Sequence, residues 1–152
     1  MSSLSFPDVN VWLALAAPEH VHAALARRWW ERETGRIAFS RISQVGFLRL
    51  MTTAAAMGGK PLTMTAAWRV HDRFYEDDRV EFVTEPAQVE THFRQHAAGR
   101  TASPKLWADA WLLAFARSAE GTLITFDRAL AARGARCLLL EEGVEAKRPH
   151  PY

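Results

Sequence analysis

Short apolar runs alternate with stretches of helical period along this chain, and that alternation restricts its fold more than any other feature. The runs Leu4 to Asp8, Ile37 to Phe39, Val80 to Val83, Leu123 to Phe126 and Cys137 to Leu140 predict short strands. Helices are predicted between them, over Val9 to Ala17, Glu19 to Thr34, Ile42 to Ala55, Thr63 to Asp77, Pro86 to Ala97, Ser103 to Gly121 and Arg128 to Arg133. Strands separated by helices pair in parallel, with the helices crossing over the sheet faces. The expected architecture is therefore an α/β three-layer fold with a mainly parallel central sheet of four or five strands. No repeat or linker divides the 152 residues, which suit a single domain with an ordered core over about 4–140 and a loosely held tail over 141–152.

The stretch Ser103 to Arg128 brings two acids to demanding positions. Ser103 and Pro104 predict a helix start, Gly121 a stop, and the strand that follows ends at Asp127. Asp109 shares a helix face with Leu112, Leu113 and Ala116, so it heads a buried stripe and must be hydrogen-bonded, neutralised or set against a cation. Gln44 heads a similar stripe of Phe47, Leu48 and Met51. Asp8 and Asp127 each follow the carboxyl end of a predicted strand, where open α/β sheets bind ligands. If those strands are neighbours, three carboxylates meet. At about 4 Å each pair costs about 4 kcal/mol at an effective dielectric of about 20. Three pairs would consume most of a typical stability of roughly 5–15 kcal/mol. A cation relieves this, and all-oxygen ligands favour Mg²⁺ or Mn²⁺, ions that take phosphate oxygens as further ligands. Capping is the competing role: Asp8 for the helix after it, with Asn10 supporting the turn, and Asp127 for the helix at Arg128. Asp109, beyond the first turn after Ser103, has no such explanation.

Other features narrow the class. No apolar run approaches the roughly 20 residues needed to cross a bilayer, and the start MSSLSFPDVN has no basic region leading into a long apolar one. Cys137 stands alone beside Leu138, Leu139 and Leu140, as a buried thiol compatible with a reducing cytoplasm. His92 and His96 have the one-turn spacing of zinc helices, but Phe93 occupies the place of the required glutamate. His71, on the stripe Met64, Trp68, Phe74 and Tyr75, is expected as a core histidine. The net charge of +2 and a pI near 9.0 permit a polyanionic partner, and only Lys60, Lys105 and Lys147 of the 19 basic residues are not arginine.

Phe6-Pro7-Asp8-Val9-Asn10, Trp107-Ala108-Asp109-Ala110-Trp111-Leu112 and Thr125-Phe126-Asp127-Arg128 resemble the acidic motifs of PIN-domain ribonucleases. Their order and spacing are most similar to VapC toxins of toxin–antitoxin pairs. The resemblance covers about Leu4 to Leu140 and implies a Mg²⁺- or Mn²⁺-dependent endoribonuclease, inhibited by a small antitoxin and commonly a homodimer. It makes Asp8, Asp109 and Asp127 the metal-binding acids, with Asn10 and Thr125 in support. Where the family usually carries another acid this chain has Gln44, and the lost charge weakens cation binding and disfavours a two-metal arrangement.

The function expected is cleavage of single-stranded or loop RNA by a metal-activated water, with Gln44 orienting the water or the metal's ligands. Arg41, Arg49, Lys105 and Arg128 are the cations expected to meet phosphates. Trp12 and Trp107 stack bases or pack in the core. The alternative is a degenerate PIN-like module that binds RNA or protein without cutting. A phosphatase of the haloacid dehalogenase type fits less well, since it wants an aspartate where Asn10 stands.

Overall fold

A computed structural model describes residues 3–134 and 136–142, so most of the expected tail lies outside the described residues. The chain forms β1 (Leu4–Pro7), α1 (Val9–Ala16), α2 (Ala23–Arg32), β2 (Arg36–Phe39), α3 (Arg41–Met51) and α4 (Met64–Phe74). It continues through β3 (Val80–Phe82), α5 (Val89–His96), α6 (Leu106–Ser118), β4 (Thr122–Thr125), α7 (Arg128–Arg133) and β5 (Cys137–Leu139). All five strands are parallel, in the order β3-β2-β1-β4-β5. Helices cover both faces, which is why the strands read as continuous apolar runs instead of alternating ones. β1 is buried along its whole length.

One face of the sheet packs Trp12, Phe39 and Phe47 with Val11, Ile37 and Met51, and the other packs Phe6, Leu113, Phe115 and Leu123. Trp12 lies flat on Phe39 with ring centroids 3.7 Å apart. Truncating an aromatic core residue of this kind costs about 3–5 kcal/mol. Two glycines permit close approaches. A Cβ on Gly121 would stand 2.9 Å from the Leu4 carbonyl and 2.5 Å from the Phe6 ring, so its absence lets β4 begin against β1. A Cβ on Gly46 would lie 2.7 Å from Val9 Cγ2, so glycine lets α3 close on α1 beside Asp8.

Three expectations are corrected. The helix predicted from Glu19 begins only at Ala23, after turns closed by His20 N–H to Ala17 O and Ala23 N–H to His20 O, and Val21 is 83% exposed. The stripe on α4 is only partly inward: His71 is buried, but Met64 and Trp68 are 71% and 45% exposed. The helix predicted from Ser103 starts at Leu106, because Ser103 accepts from Leu106 N–H through its backbone carbonyl and Lys105 takes the cap position without a side-chain bond. Asp109 therefore stands in the first turn of α6, where the helix dipole favours its negative charge.

Candidate active site

From β1 the chain builds outward to β2 and β3 on one side, while β4 and β5 lie on the other. The carboxyl ends of β1 and β4 therefore flank the point where strand order reverses, the position of the ligand crevice in open parallel sheets. Asp8 follows β1, and Asp127 lies two residues past β4. Asp8 N–H donates to Ile124 O at 2.9 Å, which locks the two strand ends together.

A chain of hydrogen bonds joins the two acids. Thr125 Oγ1 donates to Asp8 Oδ2 and accepts from Asp127 N–H at 3.0 Å. Both capping roles are also realised: Asp8 Oδ1 accepts from Val11 N–H and Asp127 Oδ1 from Leu130 N–H, each at 3.0 Å. Asn10 is exposed, and it reaches Asp8 with its backbone N–H. Among the described residues Asp109 makes no side-chain hydrogen bond, and Asp127 Oδ2 has no donor.

Electrostatics tie the third acid to the same place. Burial pushes the Asp8 carboxyl above its ordinary 3.8 against the pull of Thr125 and the backbone N–H groups, and Asp127 raises it further. Burial also raises Asp109, again with Asp127 adding and Arg133 opposing. Asp127 is thus the neighbour that Asp8 and Asp109 share. The carboxylates do not meet at one point, however: among the described residues no three Asp, Glu, His or Cys side chains stand close enough to hold one ion. The reason is local, since Asp8 and Asp127 are turned onto the backbone donors of α1 and α7. The donor chemistry still suits a hard divalent cation, because these are oxygen ligands with uncompensated like charge.

Gln44, in the first turns of α3, behaves differently. Its Oε1 accepts from Arg41 Nη1, and its Nε2 lies 3.2 Å from His71 Nε2. With the amide oxygen held by a guanidinium, the NH₂ must face the imidazole. His71 then accepts at Nε2 and donates from Nδ1 to Asp72 Oδ1 at 2.9 Å. Both ends of the amide are engaged, and neither hydrogen-bonds an acid of the rim.

The predicted cations separate. Arg41 stays at the start of α3, with its guanidinium 4.6 Å from the centre of the Phe82 ring. Lys105 precedes the turn of α6 that carries Asp109, and Arg128 pairs with Glu141. Arg49 sits about 12 Å along α3 from Arg41, where it lines an apolar cleft with Val45, Leu48, Met64 and Trp68. Trp12 is a core residue, whereas Trp107 is 60% exposed.

Sequence reasoning missed two sets of neighbours. Arg133, at the end of α7, is the cation felt by Asp109. His22 packs 4.6 Å from the ring of Phe126, between Thr125 and Asp127, and His20 stacks on the same ring. Only the helical period of α7 could have pointed to Arg133, and nothing local marks the histidines.

Acids across the switch point of a parallel α/β domain stand where such sheets bind ligands, and their oxygen donors suit a hard cation and the phosphates it attracts. The PIN domain pattern matches residues 5–135, and the chain belongs to the PIN domain family. It is 38% identical over 133 residues to Ribonuclease VapC41 of Mycobacterium tuberculosis, covering 84% of this chain and 91% of that protein. Its fold is similar to the crystal structure of Mycobacterium tuberculosis VapC20, a sarcin-ricin loop cleaving toxin (TM-score 0.62, 19% identity, 86% of this chain and 95% of that one). It is also similar to VapBC2 from Rickettsia felis, bound to a DNA fragment from its promoter (TM-score 0.64, 15% identity, 90% of this chain and 96% of that one). Among the described residues no helix is long and apolar enough to cross a membrane.

Proposed function

We propose that the chain is an endoribonuclease toxin of the VapC type, working from the rim that carries Asp8 and Asp127, with Asp109 beside them in the first turn of α6. The observation that carries this is the linked pair across the switch point, Asp8 to Thr125 to the Asp127 backbone, with Asp109 under the influence of the same Asp127. The 38% identity to a VapC ribonuclease over most of both chains supports it. PIN-domain ribonucleases of this type are metal-dependent, and here Asp8, Asp109 and Asp127 would hold Mg²⁺ or Mn²⁺. When bound, such an ion lowers the pKa of a coordinated water and offsets charge developing on phosphate oxygens.

The chain's own residues do the rest. Thr125 fixes one oxygen of Asp8 in place, so its carboxylate is oriented before substrate arrives. Among the described residues Asp109 has no hydrogen-bond donor, which leaves its carboxylate open to a cation. Lys105 and Arg41, at the starts of α6 and α3, would meet phosphates of single-stranded or loop RNA. Gln44 serves this site by holding Arg41. The same proposal includes a small antitoxin partner, a homodimer and a cytoplasmic setting. Purified protein incubated with RNA and Mg²⁺ or Mn²⁺ is expected to cut it, and Asp8→Asn or Asp109→Asn to abolish cutting. Equal cleavage by those variants would falsify the assignment.

A further inference from the structure

Away from the rim, where α5, α6 and the end of α7 meet, lies a cavity of about 190 Å³. Leu113 and Ala116 give it an apolar floor, and His96, Arg117, Arg133 and Arg136 surround it. Arg133 donates from Nη2 to the His96 carbonyl at 2.9 Å, which satisfies an end carbonyl of α5. Its Nη1 is buried and has no acceptor among the described residues. Leaving a buried donor without a partner is costly, most of all on a charged group. Arg117 reaches Gln95 Oε1 only at 3.4 Å, longer than a good hydrogen bond. No carboxylate lines the cavity, and none of its three arginines makes an ion pair among the described residues. A cluster of guanidiniums with an unused buried donor is shaped for a tetrahedral oxyanion.

The fold also says where such an anion would come from. Asp109 and Arg117 lie on the same helix, about 12 Å apart along its axis. The short helix α7 leads from its cap Asp127 at the rim to Arg133 at the cavity, about 9 Å along its axis. A polyanion with one phosphate at the acidic rim therefore has another within reach of the cavity. We propose that the pocket formed by His96, Arg117, Arg133 and Arg136 binds a backbone phosphate of the RNA, a short way along the strand from the bond that is cut. This rests on the ribonuclease reading above and adds to it a second, metal-independent contact with the substrate.

The test is RNA binding by fluorescence anisotropy in EDTA, which prevents cutting, over a series of salt concentrations. The wild type is compared with an Arg117→Gln, Arg136→Gln double variant, since both side chains are exposed and their loss leaves the core intact; equal melting temperatures check this. Losing one phosphate contact is expected to flatten the slope of log affinity against log salt by about 0.7 and to weaken binding several-fold. With Mg²⁺ or Mn²⁺ restored, the variant should cleave with raised KM and nearly unchanged kcat. An unchanged salt slope alongside normal, Asp8-dependent cleavage overturns the pocket while leaving the ribonuclease intact. Inorganic phosphate that protects the wild type but not the variant, with RNA binding unaltered, also overturns it, since the pocket would then serve a free anion. Cleavage indifferent to Asp8 and Asp109 is a separate result and overturns the ribonuclease reading instead.

Discussion

Two halves of one rim, built from the same strand-to-helix geometry, treat their polar side chains in opposite ways. At β1 and β4 the acids keep unspent capacity: among the described residues neither Asp127 Oδ2 nor the Asp109 carboxyl has a donor, and burial raises the carboxyls of Asp8 and Asp109. At β2 and α3, Gln44 is satisfied at both ends by Arg41 and His71, and His71 in turn by Asp72. One half is under electrostatic tension that a cation would relieve, while the other is a closed network that a cation would disrupt. The contrast teaches that an amide at position 44 does more than leave that corner uncharged: it anchors an arginine there.

The sharpest way to break the comparison is to neutralise the tense half. Asp8→Asn and Asp127→Asn are expected to lower RNA cleavage more than roughly 100-fold, beyond the 10–100-fold typical of residues that only orient a ligand. Thr125→Val should fall within that lesser range, because it removes the hydrogen bond to Asp8 but leaves the carboxylate. Both are read from initial rates on a fluorescent RNA. Next comes stability: Mg²⁺ at 100 times its Kd should stabilise the wild type by about 2.7 kcal/mol in a urea melt, and Asp8→Asn should lose most of that gain.

The closed half is probed by Gln44→Leu, which strands the buried His71 imidazole, while the exposed Arg41 guanidinium turns to water. A loss of about 1–3 kcal/mol is expected in urea melts at neutral pH. The smallest effect is the pH dependence of Asp8. Its folded pKa is raised above the unfolded 3.8, so the folded state holds the proton more tightly. Stability is then fully present below about 3.8 and falls as pH climbs through the raised value. Asp8→Asn should remove this slope, so the variant gains on the metal-free wild type as pH rises through that window. A wild-type curve that is flat there, or that climbs, would contradict the tension assigned to the rim.

Much of the fold was legible because it is written in short-range patterns. Apolar runs and helical spacing depend on a few adjacent residues, so all five strands and the helix at Arg128 to Arg133 could be read directly. Helix starts were less legible. Whether Ser103 caps with its side chain or only closes a turn with its carbonyl depends on backbone angles that the residue type does not dictate. The three acids were legible as residues in costly positions, and the shared edge of Asp8 and Asp127 followed from parallel pairing of β1 with β4.

By itself, then, the amino-acid sequence determined the alternation of strands and helices, the acids at the strand ends and the family. The local caps of Asp8 and Asp127 were legible too, but tertiary structure alone decided which distant partner each polar group found. Thr125 meets Asp8 across 117 positions of chain, His71 meets Gln44 across 27, and Arg133 reaches His96 across 37. Such pairings leave no periodic trace, because they arise only when strand order and helix packing bring distant backbone segments within hydrogen-bonding distance. That is why the arginine-lined cavity and the closed network at Gln44 emerged from the fold, and not from any motif.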